Sequence, residues 1–406
     1  MSGKTIWFVN QYSGSPHHGM EYRHYYLAKE LVKAGNKVFM ISGSYSHLYQ
    51  NQPATSGKFS FEIIDGIQYC WVRVPAYKKS ISIGRFKNMA VFMWNLFFLP
   101  MKKFDKPDAV IVSSPSLFPV VNAARWKKKF KAKFIFEIRD IWPLTLLSLG
   151  KISSSHPAII ILSWFEKFGY RKADKIVSLL PNCYEHLKNF GVEENKFCYI
   201  PNGIDELPSV IPTALDIRSQ FKNKFIIGYT GGLGLSNAME YFIRAARNLS
   251  DAKKEEVIFV LVGAGAETEN LKSMAAGLKN IFFFPPLKKN EVPAVLAQFD
   301  ACYIGWHNNE LYRYGISANK IFDYMLSAKP VVHSINSFND PIAEANCGLT
   351  VPAENPEAIA EAIIQMSNMN SDERKIMGER GKEYVLKFHT YQSLANKYSD
   401  LINERG

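Results

Sequence analysis

The chain is 406 residues long, 47% hydrophobic and 21% charged, the composition of a globular protein with room for two separate cores. Its five cysteines are scattered without a Cys-x-x-Cys pair, which suggests neither a disulfide framework nor a zinc site and reads as buried or idle thiols in a reducing cytosol. The net charge of +12 divides into +15 over residues 1–200 and −3 over residues 201–406, so one half is built to face something anionic: nucleic acid, a membrane surface or a phosphorylated substrate.

Residues 1–4 lead straight into a strand-length run at Thr5–Val9, which does not read as a signal peptide. No run reaches the roughly 18–20 apolar residues of a transmembrane helix. Strands are predicted at Ile6–Asn10, Lys37–Ile41, Ala109–Ser113, Phe134–Ile138, Lys175–Leu179 and Phe197–Ile200. Helical patterns lie between them. The clearest is Tyr22–Ala34, stopped by Gly35. The pattern restarts with strands at Phe225–Tyr229, Val257–Val262, Ile281–Phe284, Ala301–Ile304 and Pro330–His333. Short apolar strands separated by helices mean parallel sheets covered on both faces. The boundary falls at Pro201-Asn202-Gly203-Ile204-Asp205 and the loose stretch to Lys224. Beyond Pro352 the chain is read as helices at Pro356–Met369, Asp372–Lys387 and Tyr391–Glu404.

In open parallel sheets ligands bind beyond the carboxyl ends of the strands, and three such edges carry suitable chemistry. Asn10 to Gly19 is a loop of small residues that opens a helix and reads equally as an ordinary connection. Gly228-Tyr-Thr-Gly231-Gly232-Leu-Gly234 lets backbone amides approach a phosphate, with Ser236 placed to cap the helix Asn237–Leu249. In Gly315-Ile316-Ser317-Ala-Asn319-Lys320-Ile-Phe-Asp323, Ser317 reads as an N-cap with free amides behind it. Those amides and Lys320 suit a diphosphate, and Asp323 one turn on suits ribose hydroxyls. Lys320 and Asp323 also fit a plain surface pair.

These segments make the chain resemble glycosyltransferase family 4. Its landmarks follow in order: Gly19 to Ala28 with Arg23 and His24, Glu137-Ile-Arg139-Asp140-Ile-Trp142-Pro143, Pro201 to Asp205, Gly228 to Gly234, Val262-Gly263-Ala-Gly265, Ser317 to Met325, and Ala328-Lys329-Pro330. Within the family it is similar to bacterial O-antigen and capsule amino-sugar transferases of the N-acetyl-L-fucosamine type. The resemblance implies an α/β GT-B fold of two facing Rossmann-like domains. These are residues 1–205 with a C-terminal helix, 388–406, returning to them, and a donor-binding domain at 206–387. It implies that residues 315–323 hold the donor diphosphate and ribose, with Gly231 and Gly232 against the phosphates. Pro285 and Leu287 would edge the base, Gly19 would line the cleft from the other domain, and Arg139 and Asp140 would lie near the transferred sugar.

Two departures stand out. The family commonly carries two glutamates with seven residues between them; here these positions are Gly315 and Asp323. An Arg–Lys phosphate pair after Gly232 is also lacking, which leaves Lys320 more of the charge compensation.

Asp140, Arg139 and His18 are the catalytic candidates. Asp140 ends a strand, where it could instead cap the next helix, and His17 and His18 are expected in a mobile loop, where a solvated histidine is the alternative. The expected reaction moves a sugar, by resemblance an N-acetylated amino sugar with retained configuration, from a UDP-sugar co-substrate to a polyprenyl-diphosphate-linked glycan. No Asp-x-Asp occurs, so no metal and no other cofactor is expected. The apolar stretch Met89–Met101, flanked by Arg85, Lys87, Lys102, Lys103 and Lys106, is expected to lie in the plane of an anionic membrane, with a core helix as the alternative. That places the protein in the cytoplasm, peripheral to the inner face of the membrane. A nucleic-acid partner is not expected, because the aromatics sit in apolar runs rather than interleaved with basic residues. A sugar-nucleotide epimerase and a non-catalytic scaffold are the rival functions.

Overall fold

A computed structural model describes residues 3–19, 22–78, 82–148, 152–205 and 211–404, and the backbone alone at Tyr22. Met20 and Glu21 of the first landmark, and residues 206–210 of the predicted boundary, lie outside the described residues. In chain order the elements are β1 (Thr5–Val9), α1 (Tyr22–Lys33), β2 (Lys37–Gly43), β3 (Phe59–Ile64), β4 (Ile67–Val72), α2 (Ile83–Leu96), β5 (Ala109–Ser113), α3 (Val120–Phe130), β6 (Lys133–Ile138), α4 (Leu144–Ser148), α5 (Pro157–Lys172), β7 (Lys175–Ser178), α6 (Tyr184–Leu187) and β8 (Phe197–Tyr199). There follow β9 (Phe225–Thr230), α7 (Met239–Asp251), β10 (Val257–Val262), α8 (Thr268–Met274), β11 (Ile281–Phe284), α9 (Val292–Leu296), β12 (Ala301–Gly305), α10 (Asn319–Leu326), β13 (Val331–Ser334), α11 (Pro341–Glu344), β14 (Gly348–Val351), α12 (Pro356–Asn368), α13 (Ser371–Phe388) and α14 (Tyr391–Asn403).

The chain forms two compact units, Met1–Asn202 with Tyr391–Gly406, and Gly203–Thr390. The first holds an eight-stranded sheet in the order β3-β4-β2-β1-β5-β6-β7-β8. It is parallel except for β3, which pairs antiparallel with β4. The sequence reading passed over this hairpin, although its Asp65-Gly66 turn, with φ of 49° and 79°, is the chemistry a two-residue hairpin uses. The second unit holds a fully parallel six-stranded sheet, β11-β10-β9-β12-β13-β14, whose edge strand β14 was also missed. In each sheet the strand order reverses beside the first strand of the unit: between β1 and β5, and between β9 and β12. Connections leave to opposite faces there and open a crevice at the carboxyl edge.

Burial follows from the apolar runs: every residue of β9 and β10 is buried. One core face of the second sheet gathers Tyr229, Phe242, Phe259, Tyr303 and Ile363, and the other gathers Ile226, Val260, Phe299, Tyr324 and Val331. In the first unit α14 packs on α1 and adds Leu394, Tyr398 and Leu401 to the core containing Phe8, Leu27 and Tyr69. Burying each such side chain contributes about 1.5–3 kcal/mol, which holds the last helix on the first unit although the intervening chain belongs to the second.

Beneath the first crevice lies a buried charge cluster. Glu137, inside β6 and fully buried, accepts at Oε2 from Arg23 Nε and Nη2, both at 3.1 Å, and from the Tyr398 hydroxyl. Its Oε1 pairs with His24 Nε2 at 2.7 Å and accepts from Ser113 Oγ at 2.7 Å. Arg23 also donates to the carbonyl of Ile200 at 3.0 Å and to that of Pro201. Burial alone would raise the Glu137 pKa. The charges of Arg23 and His24, with hydrogen bonds from His24 and Tyr398, outweigh it and hold the carboxyl well below its usual range. One carboxylate thus ties together α1, β6, α14 and, through Arg23, the chain leaving β8.

Candidate functional site

In the second unit the crevice is lined by the turn after β9 and by the segment leading into α10. Glycine is needed at Gly231, where φ is 143° and a β-carbon would stand 2.8 Å from Lys320 Cε. The neighbouring turn after β10 packs backbone to backbone on it: a β-carbon at Gly263 would meet the Gly231 carbonyl oxygen at 1.9 Å. Gly232 is exposed, with no atom within 4 Å of the position a β-carbon would take. Tyr229 donates to the Gly232 carbonyl at 2.7 Å, and Asn237 Nδ2 donates to it at 3.0 Å.

Lys320, in the first turn of α10, reaches into this frame. Its ammonium donates to Asn237 Oδ1 at 3.0 Å and to the Tyr229 hydroxyl, and lies 4.1 Å from the Tyr229 ring centroid. Among the described residues no carboxylate is within ion-pair distance of it. Burial lowers its pKa to about 7, against the weaker opposing pull of Asp323. Asp323 instead pairs with Lys289, on the loop that follows Pro285 and Leu287. The plain Lys320–Asp323 surface pair is therefore not formed, and the 285–289 loop is drawn to α10. Pro285 is exposed, while Leu287 is half-buried against the core.

Several expectations need correction. Ser317 is not the N-cap. The helix begins at Asn319 behind Ala318, which offers no side-chain acceptor. With no helical carbonyl one turn earlier, the amides of Asn319 and Lys320 lack intrahelical partners. Ile316 is buried, and its amide donates to Asn339 Oδ1 at 2.8 Å while its carbonyl accepts from Asn339 Nδ2 at 3.2 Å. Its peptide serves the loop rather than a phosphate. Ser236 does not cap α7 either. It lies in a short 3-10 turn, and the helix starts at Met239 after Ala238 in the left-handed region. Gly315 has φ 105° and ψ 177°, a conformation glycine alone adopts readily, so the backbone here accounts for the missing acid.

In the first unit the loop after β1 is anchored rather than solvated: Asn10, Gln11, Ser13, Ser15 and His18 are all buried. His18, 2% exposed, pairs through Nδ1 with Ser15 Oγ at 2.9 Å and lies 4.8 Å from Trp71, ring to ring. Burial lowers its pKa. His17 and His18 are acid–base candidates by sequence, with a solvated loop histidine as the alternative; His17 is exposed, whereas the His18 ring is buried, with Glu62 Oε1 4.0 Å from its Nε2. Gly19 turns the chain at φ 76° against the Gln50 side chain. Arg139 is half-buried, its amide donating to Ser114 Oγ at 2.8 Å, and Asp140 is exposed beside it.

The sequence reading missed a constellation at this edge. Arg85 donates from Nε to the Tyr12 hydroxyl at 3.1 Å, and its guanidinium carbon lies 5.1 Å from the Tyr12 ring and 5.8 Å from that of Trp142. Below it, Gln11 joins Asn88 and Ser116. Arg85 and Asn88, one turn apart at the start of α2, were the available signal.

Two substitutions separate frame from ligand contact. Gly232→Ala should leave the melting temperature unchanged yet weaken binding of a nucleoside diphosphate, because its methyl meets only a ligand. Gly231→Ala should lower both, the melting temperature through backbone strain at φ 143° and the affinity, about tenfold, by displacing Lys320. Paired thermal melts and calorimetry check this; unchanged affinity in both variants contradicts the assignment.

A family model described as Glycosyltransferase Family 4 matches residues 17–206, and one described as Glycosyl transferases group 1 matches residues 224–369. A putative colanic acid biosynthesis glycosyl transferase of Escherichia coli K12, WcaI, is 28% identical over 253 residues, 59% of this chain and 61% of that protein. The match therefore spans about three fifths of that relative. Sucrose-phosphate synthase from Thermosynechococcus elongatus superposes with a TM-score of 0.71 at 16% identity, covering 98% of each chain. Anabaena HepE, solved in complex with UDP-glucose, gives a TM-score of 0.65 at 13% identity over 98% of this chain and 99% of that one.

Proposed function

Since the chain belongs to glycosyltransferase family 4 and has the GT-B fold, we propose that it transfers a sugar from a nucleoside-diphosphate donor to a growing glycan in surface-polysaccharide assembly. The observation that carries this reading is the Lys320 ammonium, held by neutral partners beside the open Gly232 and the start of α10. A diphosphate supplies the negative charge that this position lacks. The amides of Asn319 and Lys320 add the positive end of a helix. Charge that builds on the departing diphosphate as the glycosidic bond breaks meets donors already in place, which lowers the barrier without reorganisation.

The finer assignments extend this reading. The donor base is uracil, edged by Pro285 and Leu287, and Asp323 binds the ribose once it exchanges Lys289 for hydroxyls. The sugar is an N-acetylated amino sugar, with Arg139 and Asp140 beside it and Gly19 in the same machinery, by family resemblance. The acceptor is a polyprenyl-diphosphate-linked glycan at an anionic membrane. Transfer retains configuration: the acceptor hydroxyl attacks the face the diphosphate leaves, and its proton passes to the leaving phosphate oxygen. No Asp-x-Asp occurs in the sequence, and the helix start with Lys320 does the work a metal would do.

A thermal-shift screen of nucleotides and nucleotide sugars tests the proposal. UDP and UDP-sugars should raise the melting temperature, by the equivalent of about 2.7 kcal/mol at a hundredfold excess over Kd, and EDTA should not abolish the shift. No response to any nucleotide contradicts it.

A pH dependence follows from Lys320. Bound diphosphate favours the ammonium, so the free protein must take up a proton to bind once the pH exceeds about 7. Affinity for a UDP-sugar, whose diphosphate does not titrate there, should therefore fall as pH rises from 7 to 9. Calorimetry across that range checks it; a flat profile contradicts it.

A further inference from the structure

The expected membrane-facing stretch around α2 turns Met89, Phe92, Leu96 and Leu99 inward and leaves Trp94 and Phe98 exposed, with Lys58 over the Phe98 ring at 4.2 Å. The outward face of α5 is a different matter. Inward it presents Ile159, Leu162, Glu166, Gly169 and Tyr170, all buried. Outward it presents Ile160, Ile161 and Trp164 over its first two turns and Lys167, Arg171 and Lys172 over the rest, all exposed. Its only carboxylate, Glu166, is turned inside and held by Tyr170 at 2.8 Å and His186 at 3.0 Å. The face is thus an apolar stripe running into a cationic one, with no acid on it.

We propose that this face of α5 docks the protein on an anionic lipid membrane. The Trp164 side chain is 53% exposed, yet it is fixed, stacked on Phe168 at 5.2 Å with an interplanar angle of 20° and braced edge-on by Phe165. Phe165 in turn rests on Phe118 at 4.5 Å. A rigid tryptophan with two isoleucines beside it suits the headgroup boundary, where an indole keeps its N–H wet and buries its ring. Lys167, Arg171 and Lys172 suit lipid phosphates. Neighbouring α3 packs against α5 and adds exposed Lys128 and Lys129. Charge argues against a second copy of the chain as the occupant, because a two-fold contact through α5 would bring two cationic stripes together. The inference rests on the proposed membrane-side role but is read without donor or turnover.

Flotation on vesicles tests it, using phosphatidylcholine with about one third phosphatidylglycerol against phosphatidylcholine alone. The whole protein should float with the anionic vesicles and weakly with the neutral ones. The triple variant Ile160→Ser, Ile161→Ser, Trp164→Ser should lose at least about tenfold in partitioning while keeping its melting temperature and UDP binding. Lys167→Gln with Arg171→Gln should remove the preference for anionic lipid. A Trp94→Ser, Phe98→Ser control should float like the parent. The proposal is overturned if the parent does not float, if the α5 variants float unchanged, or if light scattering shows a dimer that the triple variant dissociates.

Discussion

Lys320→Ala should lower affinity for a nucleoside-diphosphate donor and turnover together by about two orders of magnitude, the loss typical when a preorganised donor to a developing anion is removed. The ammonium is the positive group placed at the Gly231–Gly232 turn, and its partners are a phenol and an amide rather than a carboxylate. Its partners in the folded protein are neutral, a phenol ring and an amide, so the variant should lose little in melting temperature. That combination, a large functional loss without a structural one, separates a ligand group from a structural ion pair. Lys320→Arg keeps the charge but cannot place a forked guanidinium between Tyr229 and Asn237, and should recover only part of the loss. Asp323→Asn should cost less, because that carboxylate already has Lys289 for a partner. Donor calorimetry and initial rates on the three variants, each with a melting curve, read the outcome.

Glu137→Gln should destabilise the first unit by about 3–5 kcal/mol, the cost of leaving a buried guanidinium without its counter-charge. The amide would face Arg23, His24, Ser113 and Tyr398 with one acceptor where the carboxylate offers two. Because the Glu137 pKa is depressed on folding, its contribution is fully present above the ordinary carboxyl pKa and is lost as pH falls below it. The parent should therefore lose stability in acid more steeply than the variant. Denaturant titrations at pH 7 and pH 4, followed by near-ultraviolet signals, check both statements; equal stability of parent and variant at pH 7 contradicts them.

Much of the fold was readable because its carriers are local. Apolar strands such as Phe225–Thr230 and Val257–Val262, separated by helical runs, specify buried parallel sheets, and strand ends then say where a ligand goes. What was misread depends on partners far away in sequence. Ser317 has the residue type of a cap, but the helix starts two residues later, and the preceding loop is set by Asn339. His18 belongs to a polar loop by composition, yet Trp71 and Tyr49 close over it. The apolar runs of α2 and α5 show the same thing from the other side. Met89, Phe92 and Leu96 fall on one helical face and go inward. In α5 the inward face is already filled by Ile159, Leu162 and Tyr170, so Ile160, Ile161 and Trp164 stay outside. The sequence reading weighed only the Met89–Met101 stretch and passed over α5, whose outward apolar stripe shows when its helical periodicity is followed. Glu137 within Phe134-Ile-Phe-Glu-Ile gave a similar signal, since a carboxylate in a buried strand requires cationic partners.

The role of Lys320 depends on where a diphosphate sits, so a crystal structure with bound UDP is the most direct measurement. It should show the β-phosphate within hydrogen-bond distance of Lys320 Nζ and of an amide at the start of α10, over Gly232. A diphosphate bound at another edge of the sheet, with Lys320 still held only by Tyr229 and Asn237, would contradict it.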